Sequence, residues 1–85
     1  MGKMKEPLTD HVQCRVEKTS RRDHWAIGEF FLSRGVFDDV HLRHMSGEGF
    51  AISLSTFEAE VCPWEELGAK ANVAELVAYF YIRHF

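Results

Sequence analysis

The last dozen residues constrain this chain most. Val73, Leu76, Val77 and Phe80 recur at the spacing of one helical face, while Ala74, Ala78, Tyr81, Ile82 and Phe85 spread apolar surface over much of the remainder, and only Glu75 and Arg83 are formally charged there. A helix from Val73 to His84 that is apolar around so much of its circumference has to be buried on more than one side. With 85 residues in all, there is room for one domain and not two, so the rest of the same chain must supply the cover. Residues 11–85 are expected to form that single domain. Residues 1–10, with two Lys, one Pro and little apolar surface, read as a flexible N-terminal arm. Whatever the sheet leaves uncovered, a face of Tyr79, Tyr81 or Phe85, is surface for another chain, including a second copy that would pair through this helix.

Strands are the expected cover. From His11 to Thr19, Val12, Cys14 and Val16 alternate with Gln13, Arg15 and Glu17, the pattern of a half-buried strand. Val40 and Leu42 alternate with His41 and Arg43, Ser46-Gly47-Glu48-Gly49 interrupts, and Phe50, Ile52 and Leu54 alternate with Ala51 and Ser53; this predicts a hairpin over Val36–Ser55. Between these lies a segment with two readings. Asp23 stands where a helix N-cap would, Ile27, Phe30, Phe31 and Arg34 follow at helical spacing, and Gly35 suits a C-cap, which predicts a helix. Trp25, Ile27 and Phe31 also fit a two-residue period, and Gly28 weakens a helix interior by roughly 1 kcal/mol, which favours a strand from His24 to Leu32. Further on, Ser55-Thr56-Phe57-Glu58 has capping-box spacing, Pro63 suits a first helical position followed by Glu65 and Glu66, and Asn72 with Glu75 repeats the capping box. The expected fold is α+β in the order β-α-β-β-α: a small single domain with a three-stranded antiparallel sheet packed by C-terminal helices. A four-stranded meander with the same helices is the alternative.

The charge balance is −3, with 27% charged and 46% hydrophobic residues, a composition that folds and is not polycationic. No run approaches the roughly 18 apolar residues that span a bilayer, and the start MGKMKEPLTD lacks the apolar centre of a signal peptide. A cytoplasmic location without membrane contact is expected, with Cys14 and Cys62 as free thiols. Charge is divided unevenly: residues 1–35 sum to +2 and residues 36–85 to −5. Such asymmetry can steer an encounter with a charged partner.

Three constellations could carry chemistry. His11-x-x-Cys14 and His41-x-x-His44 have zinc-ligand spacing with Cys62 as a further soft donor, but both pairs fall on predicted strands, where residues three apart face opposite ways. A Cys–His nucleophile would need an orienting group and an oxyanion site, and neither has a local signature. The adjacent acids Asp38-Asp39 and Glu65-Glu66 read as turn and helix-start residues. No phosphate-binding or dinucleotide-binding glycine motif is present. No catalytic residue, cofactor or metal is therefore assigned.

What remains is surface. Arg15, Lys18, Arg21 and Arg22 with Trp25 alongside form a local basic patch of the kind that contacts phosphates, although strong nucleic-acid binders are basic overall and this chain has a pI near 5.9. Glu58, Glu60, Glu65 and Glu66 form an acidic stretch without a base from Phe57 to Ala69, and could imitate a phosphate track. Trp64 within it is either the anchor of its helix or an exposed hot spot. The function expected is that of a non-enzymatic protein-binding module, a regulator or inhibitor that occupies another protein's surface through Arg21, Arg22, Trp25, Glu58, Glu60, Trp64, Glu65, Glu66, Tyr79 and Tyr81. Small acidic chains without catalytic motifs are often phage or mobile-element inhibitors of nucleic-acid-handling defence machinery, which gives that class an associative rather than a physical warrant. The alternatives are a nucleic-acid-binding accessory protein using the basic patch and a small metal- or thiol-dependent enzyme.

Overall fold

The apolar alternations that fall on the described residues become strands of one sheet. The computed structural model describes residues 16–18 and 23–85; the arm 1–10, the start of the first alternating run with Cys14 and Arg15, and Arg21 and Arg22 lie outside the described residues. The strands are β1 (Val16–Lys18), β2 (His24–Ile27), β3 (Phe30–Arg34), β4 (Asp39–His44) and β5 (Gly49–Ser53), and they pair in chain order as an antiparallel meander. Helix α1 (Leu54–Glu60), a single 3-10 turn at Trp64–Glu66 and helix α2 (Val73–His84) follow. The class is α+β, with five strands where three were expected.

The segment read as a helix from Asp23 to Gly35 is instead the β2–β3 hairpin. Gly28 opens its two-residue loop at φ +59°, and a glycine with positive φ at the first loop position is what a type II′ hairpin turn requires. The presumed cap residues serve the sheet: the Asp23 carbonyl accepts the Arg34 N–H at 3.1 Å, and the Gly35 N–H donates to the Asp39 carbonyl at 2.8 Å. Two strands also place Ile27, Phe30 and Leu32 together in the core, which one helix with a glycine in its middle would do less well.

Directly paired residues share a face of the sheet. The inner face carries Ile27, Phe30, Leu32, Val40 and Leu42, all buried, with Phe50 and Ile52 half-buried at the β5 margin. Phe57, Val61, Trp64, Leu67, Val73, Val77 and Phe80 meet them from the helical side. The Phe57 ring lies 5.3 Å from Phe80 and 5.9 Å from Trp64, both edge-on, and each such burial contributes about 1.5–3 kcal/mol.

The helix starts differ from their sequence signals in an instructive way. Ser53 caps α1, its Oγ accepting the Thr56 N–H at 3.3 Å, so the helix begins as soon as β5 ends and the Ser55 capping box does not form. Glu58 instead accepts the Trp64 N–H at 2.8 Å, closing the turn that follows Pro63. Asn72 does precede α2, but its side chain makes no cap hydrogen bond. No helix among the described residues is long and apolar enough to cross a membrane.

Candidate protein-binding surface

The face of the sheet opposite the helices carries Glu17, Ala26, Phe31, Arg43 and Gly49 in one row and His24, Ser33, His41 and Ala51 in the next. The small side chains leave a depression of about 590 Å³ over β2–β4, bordered by His24, Phe31, His41 and Arg43. A second of about 330 Å³ lies over β4–β5. Phe31 is 45% exposed, and the Arg43 guanidinium sits 5.7 Å from its ring centre, a cation–π contact at a half-wet site.

This face ends at the β3–β4 hairpin tip. Continuing the β3–β4 register, Gly35 pairs with Asp39 through the bond already described, leaving a three-residue loop of Val36, Phe37 and Asp38. Asp38 takes φ +59°, the left-handed position that closes such loops and that Asp tolerates better than most residues. Arg34 Nη2 donates to Asp38 Oδ1 at 3.2 Å, and a side chain on Gly35 would run into the Asp39 carboxylate. A braced turn thus holds Val36 89% exposed and Phe37 88% exposed.

At the other end of the sheet polar groups dominate. His44 Nε2 bonds Glu29 Oε1 at 2.8 Å and His44 Nδ1 meets Ser46 Oγ at 2.9 Å. A serine, a histidine and a carboxylate in line resemble a hydrolytic relay. Here Nδ1 also accepts the Ser46 N–H at 3.1 Å, so the relay closes a local ring that shapes the β4–β5 loop. Met45 N–H to the Glu29 carbonyl at 2.8 Å ties that loop to the β2–β3 turn.

The described residues among those singled out from sequence are dispersed. Trp64 is 3% exposed and packs edge-on against Phe57, which anchors its turn on the core. Trp25 faces inward, where a Cβ on Gly68 would come within 3.0 Å of its ring, with Lys18 Nζ 5.0 Å above it. Trp25 therefore shares the face of Leu32 and not the open sheet face. Glu58 is occupied by the Trp64 N–H, and Glu60 accepts from Arg83 Nε at 3.1 Å and meets His84 Nε2 at 3.0 Å. The His84 bond, and then Arg83, hold the Glu60 carboxyl below the usual range. Only Glu65 and Glu66 remain as unengaged acids of that stretch among the described residues. Tyr81 is half-buried, stacked on Phe85 at 4.9 Å, and burial pushes its hydroxyl pKa up; Tyr79 stays 42% exposed. Cys62 is buried, and that burial raises its thiol pKa. His41 lies on the open face beside Asp39 at 2.8 Å while His44 turns to the Glu29 side. Among the described residues no three His, Cys, Asp or Glu side chains converge as a metal site.

Sequence reasoning missed Phe31, Val36 and Phe37. The tip had a signal: counting back from Val40 by twos would put Asp38 in the core, so the strand must end and Gly35-Val36-Phe37-Asp38 must be a turn. Comparison with protein families, with curated proteins and with solved structures finds no match.

Proposed function

We propose that the protein is a non-enzymatic binding module that acts on another protein by inserting Val36 and Phe37 into an apolar pocket and laying the open sheet face, with Phe31 and Arg43, alongside it. The observation that carries this reading is the braced apolar tip. Two large apolar side chains held almost wholly in water contribute nothing to the fold, and a fixed turn presents them without the ordering cost a mobile loop would incur on binding. An aromatic anchor next to an arginine is also the composition of binding hot spots. By occupying a partner's surface such a module would serve as a regulator or inhibitor, and the surface fits a protein pocket better than a phosphate backbone, since its cations are few.

The test is affinity capture from a nuclease-treated lysate of the source, comparing the wild-type chain with the Val36→Ser, Phe37→Ser double variant. A stoichiometric protein recovered by the first and lost by the second supports the reading. Equal recovery by both, or retention of nucleic acid alone before nuclease treatment, refutes it.

A further inference from the structure

We propose that β5 is a self-pairing edge, and that two copies of the chain join antiparallel about a two-fold axis at Ala51 to make one continuous sheet, five strands from each copy. In the described sheet β5 has a neighbour on one side only. The His44 N–H donates to the Glu48 carbonyl and the Leu54 N–H to the Asp38 carbonyl. Both bonds follow the β4–β5 register, so positions 48, 50, 52 and 54 turn their backbone groups toward β4. By the alternation of an antiparallel ladder, Gly49, Ala51 and Ser53 turn theirs outward.

Exposed edges normally carry a lysine, a proline or another charge that discourages pairing. The opposite edge, β1, has Glu17 and Lys18 among its three residues. β5 reads Gly-Phe-Ala-Ile-Ser and has no such guard. Its outward positions are also symmetric about Ala51. A two-fold pairing sets Ala51 against the partner's Ala51 and Gly49 against the partner's Ser53, with about six backbone hydrogen bonds.

Side chains and charges agree with that register. On the open face the seam meets only glycine, alanine and serine, so nothing blocks approach. On the helical face Phe50 lies opposite the partner's Ile52, an aromatic and β-branched pair of the favourable kind, and both residues are only half-buried in a single copy. Phe85, 63% exposed and 6.2 Å from Phe50, overlies the same margin. Along the next row Arg43 and the partner's Asp39 are separated only by Gly49 and the partner's Ser53, opposite charges on one face. The two copies of Glu48 stand about 20 Å apart along the seam, beyond the reach of repulsion at physiological salt. The seam thus differs from one through α2, which would use the outer side of that helix, where Tyr79 is 42% exposed. It leaves both Val36–Phe37 tips free, at opposite ends of the joined sheet.

A strand about 17 Å long makes a contact at the small end of specific interfaces, so dissociation in the micromolar range is expected. Sedimentation equilibrium of the full chain should show monomer and dimer exchanging across that range. Ala51→Pro should be monomeric throughout with an unchanged far-ultraviolet spectrum, because the lost N–H faces water in the single copy. Phe85→Ser should raise the dimer Kd about tenfold. In a Cys14→Ser background, Ala51→Cys should form an intermolecular disulfide, because hydrogen-bonded mates sit about 5.5 Å apart at Cα. Ser53→Cys should not, because its mates lie about 14 Å apart. A wild-type chain that is monomeric at every concentration overturns the proposal. So does a dimer that survives in folded Ala51→Pro, or one that Ser53→Cys links as readily as Ala51→Cys.

Discussion

The two three-residue hairpin tips at opposite ends of the sheet have the same backbone plan and are tied to the rest of the molecule to very different extents. Val36-Phe37-Asp38 and Met45-Ser46-Gly47 both close on a residue with positive φ, Asp38 at +59° and Gly47 at +109°. The second is bound into the molecule: Met45 to the Glu29 carbonyl, Ser46 to His44, and the Tyr81 hydroxyl to the Glu48 carbonyl at 3.4 Å just beyond it. The first is held through Asp38 alone, by Arg34 on its carboxylate and the Leu54 N–H on its carbonyl, and its two apolar side chains touch water. Turn geometry alone therefore does not explain what sits on a tip. One tip is tied into the fold by its backbone and by Ser46 Oγ while its Met45 side chain stays 64% exposed, and the other presents both Val36 and Phe37 almost wholly to water.

The largest effect expected is on binding. Phe37→Ser should weaken association with the captured protein by about 2–4 kcal/mol, the range of aromatic hot spots, as read by calorimetry. At the other tip, Glu29→Ala should lower unfolding stability by about 1–3 kcal/mol in a urea titration, since it strips the partner from a mostly buried histidine, while leaving that association intact. Gly47→Ala should cost about 1–2 kcal/mol in the same titration for its left-handed backbone. Asp38→Gly should be close to neutral, because relief of the same strain offsets the lost exposed ion pair.

The smallest effect concerns pH. The Glu60 carboxyl is held below its ordinary range by His84 and Arg83, so the folded state favours its charged form. Its contribution is fully present above the ordinary carboxylate pKa and is lost as pH falls through the lowered folded value. Thermal melts of the wild type and Glu60→Gln should therefore converge on acidification below about pH 4.

What was legible in the sequence follows from which interactions are local. Helix α2 runs from Val73 to His84 as its periodicity indicates, and the β4–β5 hairpin lies where alternation and glycines place it. The segment 23–34 was ambiguous for a physical reason: Ile27 and Phe31 are four apart, a spacing that fits both a helical face and one face of a strand. The deciding feature was the φ of Gly28. The acidic stretch dissolved because Glu60 finds Arg83 and His84 across the fold, a contact that no local pattern announces. The candidate surface was least legible of all, since an apolar pair in a turn looks like the start of a strand until the register excludes it.

If the Val36–Phe37 tip serves association and not folding, removing its apolar side chains should separate the two. The most direct test titrates the captured partner with the wild-type chain and with the Val36→Ser, Phe37→Ser variant, and measures the urea midpoint of both samples. Binding should be lost and the midpoint unchanged or slightly raised. A lowered midpoint with binding retained would contradict that role.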